Sequence, residues 1–199
     1  MSTKSISAVS ARAISNIFLP PFVLLLSYSA TVLTRETGAA IIPSFIVSGV
    51  LLLVVFPIAF FITLVKARKV SDQDAMDKKE RTLPYAFGIF LMVLGLGYLL
   101  FHHAALPVVQ NWISILLSIV FVLVINFRWK ISAHLCSFTI AFCNLGIAVD
   151  PRWFAVLLLA PVLGWSRILL KSHTVMQVVA GFLLGVVLST FSFGVINLQ

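Results

Sequence analysis

Three short clusters in the chain carry residue types that can hold an anion and move a proton. The first is Asp77-Lys78-Lys79-Glu80-Arg81-Thr82-Leu83-Pro84, and the second is Lys130-Ile131-Ser132-Ala133-His134. The third is Ser166-Arg167, followed by His173-Thr174-Val175-Met176-Gln177. Each opens a helical run or sits just before one, where backbone N–H groups are left without intrahelical partners. Such groups, with Lys and Arg beside them, attract anions. The guanidinium forks of Arg81 and Arg167 match phosphoryl oxygens, and Lys130 adds a point charge. Histidine titrates near neutral pH, so His134 and His173 suit nucleophilic and acid–base work. Gln177, four residues after His173, lies on the same helical face and can orient its ring.

Composition identifies the scaffold that must position these groups. The 199 residues are 61% hydrophobic and only 10% charged, against roughly 45–50% apolar and 25% charged in soluble domains. Mean hydropathy is +1.12. So much apolar side chain cannot be hidden from water in a fold of this size, which excludes a soluble enzyme, a disordered tail and a disulfide scaffold. The apolar runs are continuous rather than alternating, which argues for helices over a barrel. At roughly 20 residues per crossing, spans are predicted near 15–33, 40–65, 83–101, 107–127, 132–149, 151–166 and 174–196, the sixth being short for a crossing. The expected fold is an all-α polytopic transmembrane bundle of six to seven spans. It forms one domain over 1–199, with its motif-bearing core at about 66–196.

With seven spans, the N-terminus and residues 66–82, 128–131 and 167–173 share one side of the membrane. Every Lys and Arg except Arg35 and Arg152 falls on that side, so the positive-inside rule makes it cytoplasmic. Net charge is +8, yet no exposed basic stretch interleaves with aromatics, so membrane orientation explains the charge better than nucleic acid does. Ala11-x-Ala13 precedes the first apolar run, whereas a signal cleavage site follows one, so no cleaved leader is expected. Pro20 and Pro21 should kink or delay the first helix. His102 and His103 fall on the opposite side and read as interfacial bystanders. Trp112, Trp129, Trp153 and Trp165 near the span ends read as interface anchors. Gly181 and Gly185 suit close helix packing inside the chain more than dimerisation. Cys136 and Cys143 read as small core residues without a disulfide.

The three clusters resemble the motifs of the type 2 phosphatidic acid phosphatase superfamily of integral-membrane phosphatases. The third motif of that family is Ser-Arg, five residues, His, three residues, Asp. Here it reads Ser166-Arg167, then 168–172, His173, then 174–176, and Gln177 in place of Asp. The second, Pro-Ser-Gly-His, reads Ile131-Ser132-Ala133-His134. The first, Lys, six residues, Arg-Pro, is represented by Arg81, with Leu83 between Thr82 and Pro84 and Asp74 seven positions before the arginine. The resemblance spans residues 77 to 177.

The resemblance implies metal-independent phosphotransfer to histidine, with no cofactor. His173 matches the nucleophile and His134 the general acid that protonates the leaving lipid oxygen. Arg81, Arg167, Ser132 and the Ala133 N–H, with Lys130, Lys78 or Lys79, match the groups that hold the phosphoryl oxygens. Gln177 can fix the ring tautomer but brings no negative charge, so Asp77 is the candidate supporting acid. The expected substrate is a membrane lipid phosphate or isoprenoid diphosphate, approached from the cytoplasmic leaflet, and a compact bundle with two unbridged cysteines suits a bacterial inner membrane. Two other readings stand beside it. One is a lipid-phosphate binding or transport protein on the same scaffold, for which Gln177 is the pointer. The other is a membrane prenyltransferase using Mg²⁺ at Asp72-Gln73-Asp74-Ala75-Met76-Asp77, although such enzymes use two carboxylate clusters and this chain has one.

Overall fold

The computed structural model describes residues 3–71 and 78–195, and among them all regular structure is helical. Six helical segments are long and apolar enough to cross a membrane. The molecule is an all-α integral membrane bundle.

The first apolar run divides into two helices. α1 (Thr3–Ile17) and α2 (Pro20–Arg35) meet at Leu19, whose backbone is extended at φ −63° and ψ 132°. A residue before proline avoids the helical region. Pro20 and Pro21 occupy the first turn of α2, where a missing N–H is not needed. The crossing expected at 15–33 falls within the apolar segment Ser7–Arg35, which the structure divides into α1 and α2. The second crossing joins α3 (Ile42–Gly49), a wide π turn at Val50–Val55, and α4 (Phe56–Lys66). Pro57 cannot donate to the turn before it, and the wider register, in which Phe56 N–H donates to Leu51 O, absorbs that defect.

A 3₁₀ turn (Lys78–Arg81) leads into α5 (Thr82–Phe101), which pairs with α6 (Leu106–Arg128). Trp112 is not at a membrane interface as expected. It is fully buried, its Nε1–H donates to Met92 O at 2.8 Å, and its ring meets Tyr28 edge-on at 4.9 Å. Gly95 makes the space, since a Cβ there would lie 2.1 Å from Trp112. Trp129 and Trp165 are exposed.

α7 (Ala133–Ala148) is the axis of the bundle, buried along nearly its whole length and packed on α2 and α9 (Val175–Val195). Sheathed in protein, it does not have to match the bilayer's thickness. Buried amides tie it to its neighbours. Asn144 Nδ2 donates to Asn111 Oδ1 at 3.0 Å and to Ser114 Oγ at 2.6 Å, and Asn111 Nδ2 donates to Thr31 Oγ1 at 2.8 Å. Such bonds between membrane helices average about 0.6 kcal/mol each.

The sixth crossing is longer than expected, because Pro151–Leu159 is a 3₁₀ helix that continues as α8 (Ala160–Leu169). At a rise of about 2.0 Å per residue in 3₁₀ and about 1.5 Å in α geometry, it reaches about 33 Å, against a hydrocarbon core of about 30 Å. α1 lies against α8.

Gly181 and Gly185 face α7 within the chain. A Cβ at 181 would lie 2.5 Å from Ser132 O, and one at 185 would lie 2.6 Å from Thr139 Cβ and 2.8 Å from Cys136 O. Backbone cannot step aside cheaply, so Gly181→Ala should cost about 1–3 kcal/mol. A Cβ at Gly97 meets nothing within 4 Å. Thermal unfolding in detergent should show Gly181→Ala well below wild type and Gly97→Ala level with it.

Candidate functional site

The three clusters converge at one end of the bundle. Their cavity has a volume of about 430 Å³, with a polar mouth and an apolar slot distinguished by the residues that line them. Arg81, Ala133, His134, Arg167 and His173 line the mouth, while Leu52, Leu53, Pro57, Met92 and Ile119 line the slot. The π turn thus forms part of the slot wall.

Local chain geometry accounts for the position of His173. α8 ends in a double reversal in which Lys171 N–H donates to Ile168 O at 2.9 Å and Ser172 N–H to Arg167 O at 3.0 Å. Lys171 takes the left-handed conformation, φ 55°, that this motif requires. The chain therefore doubles back over Arg167, and His173 N–H donates to the same carbonyl at 3.3 Å. Arg68 and His103 end α4 and α5 with left-handed backbones of the same kind. His103 is thus a turn residue at the far end of α5, and His102 stacks edge-on against Tyr98 at 4.6 Å.

α9 opens with a reciprocal cap. Thr174 N–H donates to Gln177 Oε1 at 3.1 Å, and Gln177 N–H donates to Thr174 Oγ1 at 3.4 Å. The sequence Thr-x-x-Gln announces this cap, a signal the motif-based reading passed over. It has a chemical consequence. A backbone N–H only donates, so the Gln177 atom facing it must be the oxygen. His173 Nδ1 lies 3.2 Å from that oxygen and so carries the proton, which leaves Nε2 with its lone pair. The first turn of α9 also carries Ser132, whose N–H donates to Gln177 O at 3.2 Å.

Burial, and then the positive fields of Arg81, Arg167 and Lys130, hold the His173 imidazole far below its ordinary 6.5, at about 3, with the Gln177 hydrogen bond pulling the other way. The ring is neutral across the physiological range. Arg81 and Arg167 are buried, at 6% and 1% exposure, and the cavity wall among the described residues contains no carboxylate. Ser132 is fully buried and its Oγ accepts from Leu135 N–H at 3.5 Å, which caps α7. Ala133 is the first residue of α7, so its N–H is one that helical bonding leaves over. Lys130 is half-buried at the rim, and Lys79 is exposed. Asp77, and the side chain of Lys78, lie outside the described residues.

Four residues join the site without having been expected there. Arg12, Ser15 and Asn16 line the mouth from one face of α1, and Tyr85 stands one turn after Arg81 and interacts with it. Ser15 is buried and its Oγ accepts from Arg167 Nη1 at 2.5 Å, lying 3.5 Å from His134 Nε2. Their spacing, i, i+3, i+4 in α1 and i, i+4 from Arg81 at the start of α5, is legible in the sequence. The side each face turns toward is not.

Comparison with protein-family models, curated proteins and solved structures returned no match.

The unfolded histidine ring takes its proton near 6.5 and the folded ring only near 3. Stability that rests on the neutral buried ring is therefore present above pH 6.5 and lost as pH falls toward 3. Between pH 7 and pH 5, the melting temperature of ligand-free wild type should drop more than that of His173→Gln.

Proposed function

We propose that the protein is a membrane-embedded, metal-independent phosphatase that hydrolyses a lipid phosphate or diphosphate through a phosphohistidine. The observation that carries this reading is the fixed tautomer of His173. Its Nδ1–H is committed to an oxygen that Thr174 N–H holds in place, and its Nε2 lone pair is free for a phosphorus atom in a cavity rimmed by arginines. An apolar slot opening from that mouth suits a lipid tail. In this reading, charge neutralisation falls to Arg81, Arg167 and Lys130, with the Ala133 N–H and the Ser132 cap holding the start of α7 toward the anion.

His173 Nε2 attacks phosphorus as the P–O bond to the lipid breaks. The bonding pair leaves on the lipid oxygen, which takes a proton from His134. Water then attacks the phosphohistidine and gives a proton back to His134. The P–N bond breaks, its pair returns to Nε2, and inorganic phosphate departs. Gln177 offers the phosphorylated ring a dipole rather than a charge, so this step is slower than a carboxylate would allow. The distribution of Lys and Arg supports a site at the cytoplasmic face, and we read the membrane as a bacterial inner membrane.

Phosphate release from a panel of lipid phosphates and prenyl diphosphates in EDTA tests the reading. Wild type should turn over and His173→Ala should lose at least a thousandfold. Activity that requires Mg²⁺ and ignores His173 would move the chemistry to the aspartates of 72–77. Bound lipid phosphate without release would make the protein a binder, the reading that Gln177 favours. In an active enzyme, Gln177→Glu keeps both hydrogen bonds and adds charge. If it favours the ring cation by about one pKa unit, turnover rises about tenfold.

A further inference from the structure

Proton delivery to a departing oxygen works over about 2.6–3.2 Å, directly or through one bridging water. A side-chain hydroxyl can stand in for that water, with no molecule to immobilise at each turnover. Ser15 is placed for this. Its Oγ accepts from Arg167 Nη1 at 2.5 Å, lies 3.5 Å from His134 Nε2, and belongs to a residue on the wall of the cavity mouth. Catalytic hydrogen bonds are often long before substrate binds and shorten in the complex.

Packing on two sides brings the hydroxyl there. Ala11 and Ser15, one turn apart, form the buried face of α1, at 0% and 1% exposure, and α1 lies against α8, which carries Arg167. Just past α1, Phe18 meets Phe138 edge-on at 5.1 Å, and Phe138 stands one turn after His134 on α7. Ser15 Oγ is thus fixed between the arginine of one helix and the histidine of another. It comes from outside residues 77–177, so none of the three clusters contains it.

We propose that Ser15 is a catalytic residue that relays the proton between His134 and the leaving oxygen. This rests on the phosphatase reading, with His134 as its acid. A histidine acting as acid is an imidazolium, and both its nitrogens donate. Serine has one proton and two lone pairs. Arg167 takes one lone pair, His134 Nε2–H takes the other, and the Ser15 proton is left to face the cavity. As the P–O bond breaks and its electron pair moves onto the lipid oxygen, that oxygen takes the Ser15 proton, and Ser15 Oγ takes the proton of His134 Nε2. In the second half, water attacks the phosphohistidine and gives a proton to Ser15 Oγ, whose own proton returns to His134 Nε2. Ser15 ends each half as a neutral hydroxyl, and the Arg167 guanidinium stabilises its oxygen while the two protons move.

Leaving-group ability separates a relay from a merely structural serine. An alkoxide must be protonated as it leaves, whereas a nitrophenolate leaves without a proton. The full chain in detergent is assayed in EDTA with an alkyl phosphate and with a nitrophenyl phosphate carrying an alkyl tail of the same length. Ser15→Ala should lose about a hundredfold more of kcat on the alkyl ester than on the nitrophenyl ester. Ser15→Thr, which keeps a hydroxyl, should recover most of that difference. Equal losses on both esters overturn the relay, because a serine that only steadies Arg167 would slow both, and so does an alkyl-ester rate that Ser15→Ala leaves intact. Should Ser15→Ala elute or melt unlike wild type, wild type itself supplies the second measurement. In mixtures of H2O and D2O, two protons moving together curve the alkyl-ester rate against deuterium fraction, and a straight line overturns the relay. His173→Ala separates the two claims. Hydrolysis that it leaves intact, or a wild type silent here and across the lipid panel, sinks the phosphatase reading and the relay with it. Hydrolysis lost in His173→Ala, with equal losses on both esters in Ser15→Ala, sinks the relay alone.

Discussion

Two guanidinium groups buried at one end of an apolar bundle set the terms for the rest of this structure. Arg81 and Arg167 sit in a region of low dielectric, with neutral hydroxyl neighbours in Tyr85 and Ser15. Like charges so placed repel each other and disfavour any further positive charge. The neutral state of His173 follows from burial first and then from that field. The two buried arginines also need a framework stiff enough to keep them near one another. That framework is largely backbone: the reversal after α8, the cap of α9, and the Ser132 N–H bond to Gln177 O. Main-chain geometry is a sound choice for holding charge, since it has few rotamers to lose.

Gln177 shows how one side chain can be bound by two obligations. Its oxygen closes the α9 cap and sets the His173 proton. Removing it would loosen a helix end, worth about 1 kcal/mol at typical caps, and free the ring to turn. Change at this position is therefore constrained by the helix cap as well as by the ring, and an amide satisfies both bonds while withholding charge.

Much of the fold was legible because membrane spans are written in long apolar runs. Crossings at 42–66, 82–101, 106–128 and 175–195 lie within a few residues of their expected places. The convergence of the three clusters followed from counting crossings. What stayed hidden depended on neighbours. Trp112 near the start of α6 has the address of an interface anchor, and only Gly95, seventeen positions earlier, opens the hole that takes its ring. The length of the Pro151 segment depended on a 3₁₀ rise that hydropathy does not report. Arg12 looked like an orienting charge because the break at Leu19, which separates α2 from the α1 helix that packs on α8, shows in sequence only as a pair of prolines. Ser15 had no signal beyond its spacing.

α7 carries His134 at its first turn and touches protein on nearly every side. The lipid-facing helices around it meet the bilayer directly. When membrane thickness changes with growth temperature or lipid composition, those outer helices tilt or stretch to follow it. The axis they enclose has no hydrophobic length of its own to reconcile with the lipid. The His134 end of that axis is thereby insulated from the mechanics of the surrounding membrane.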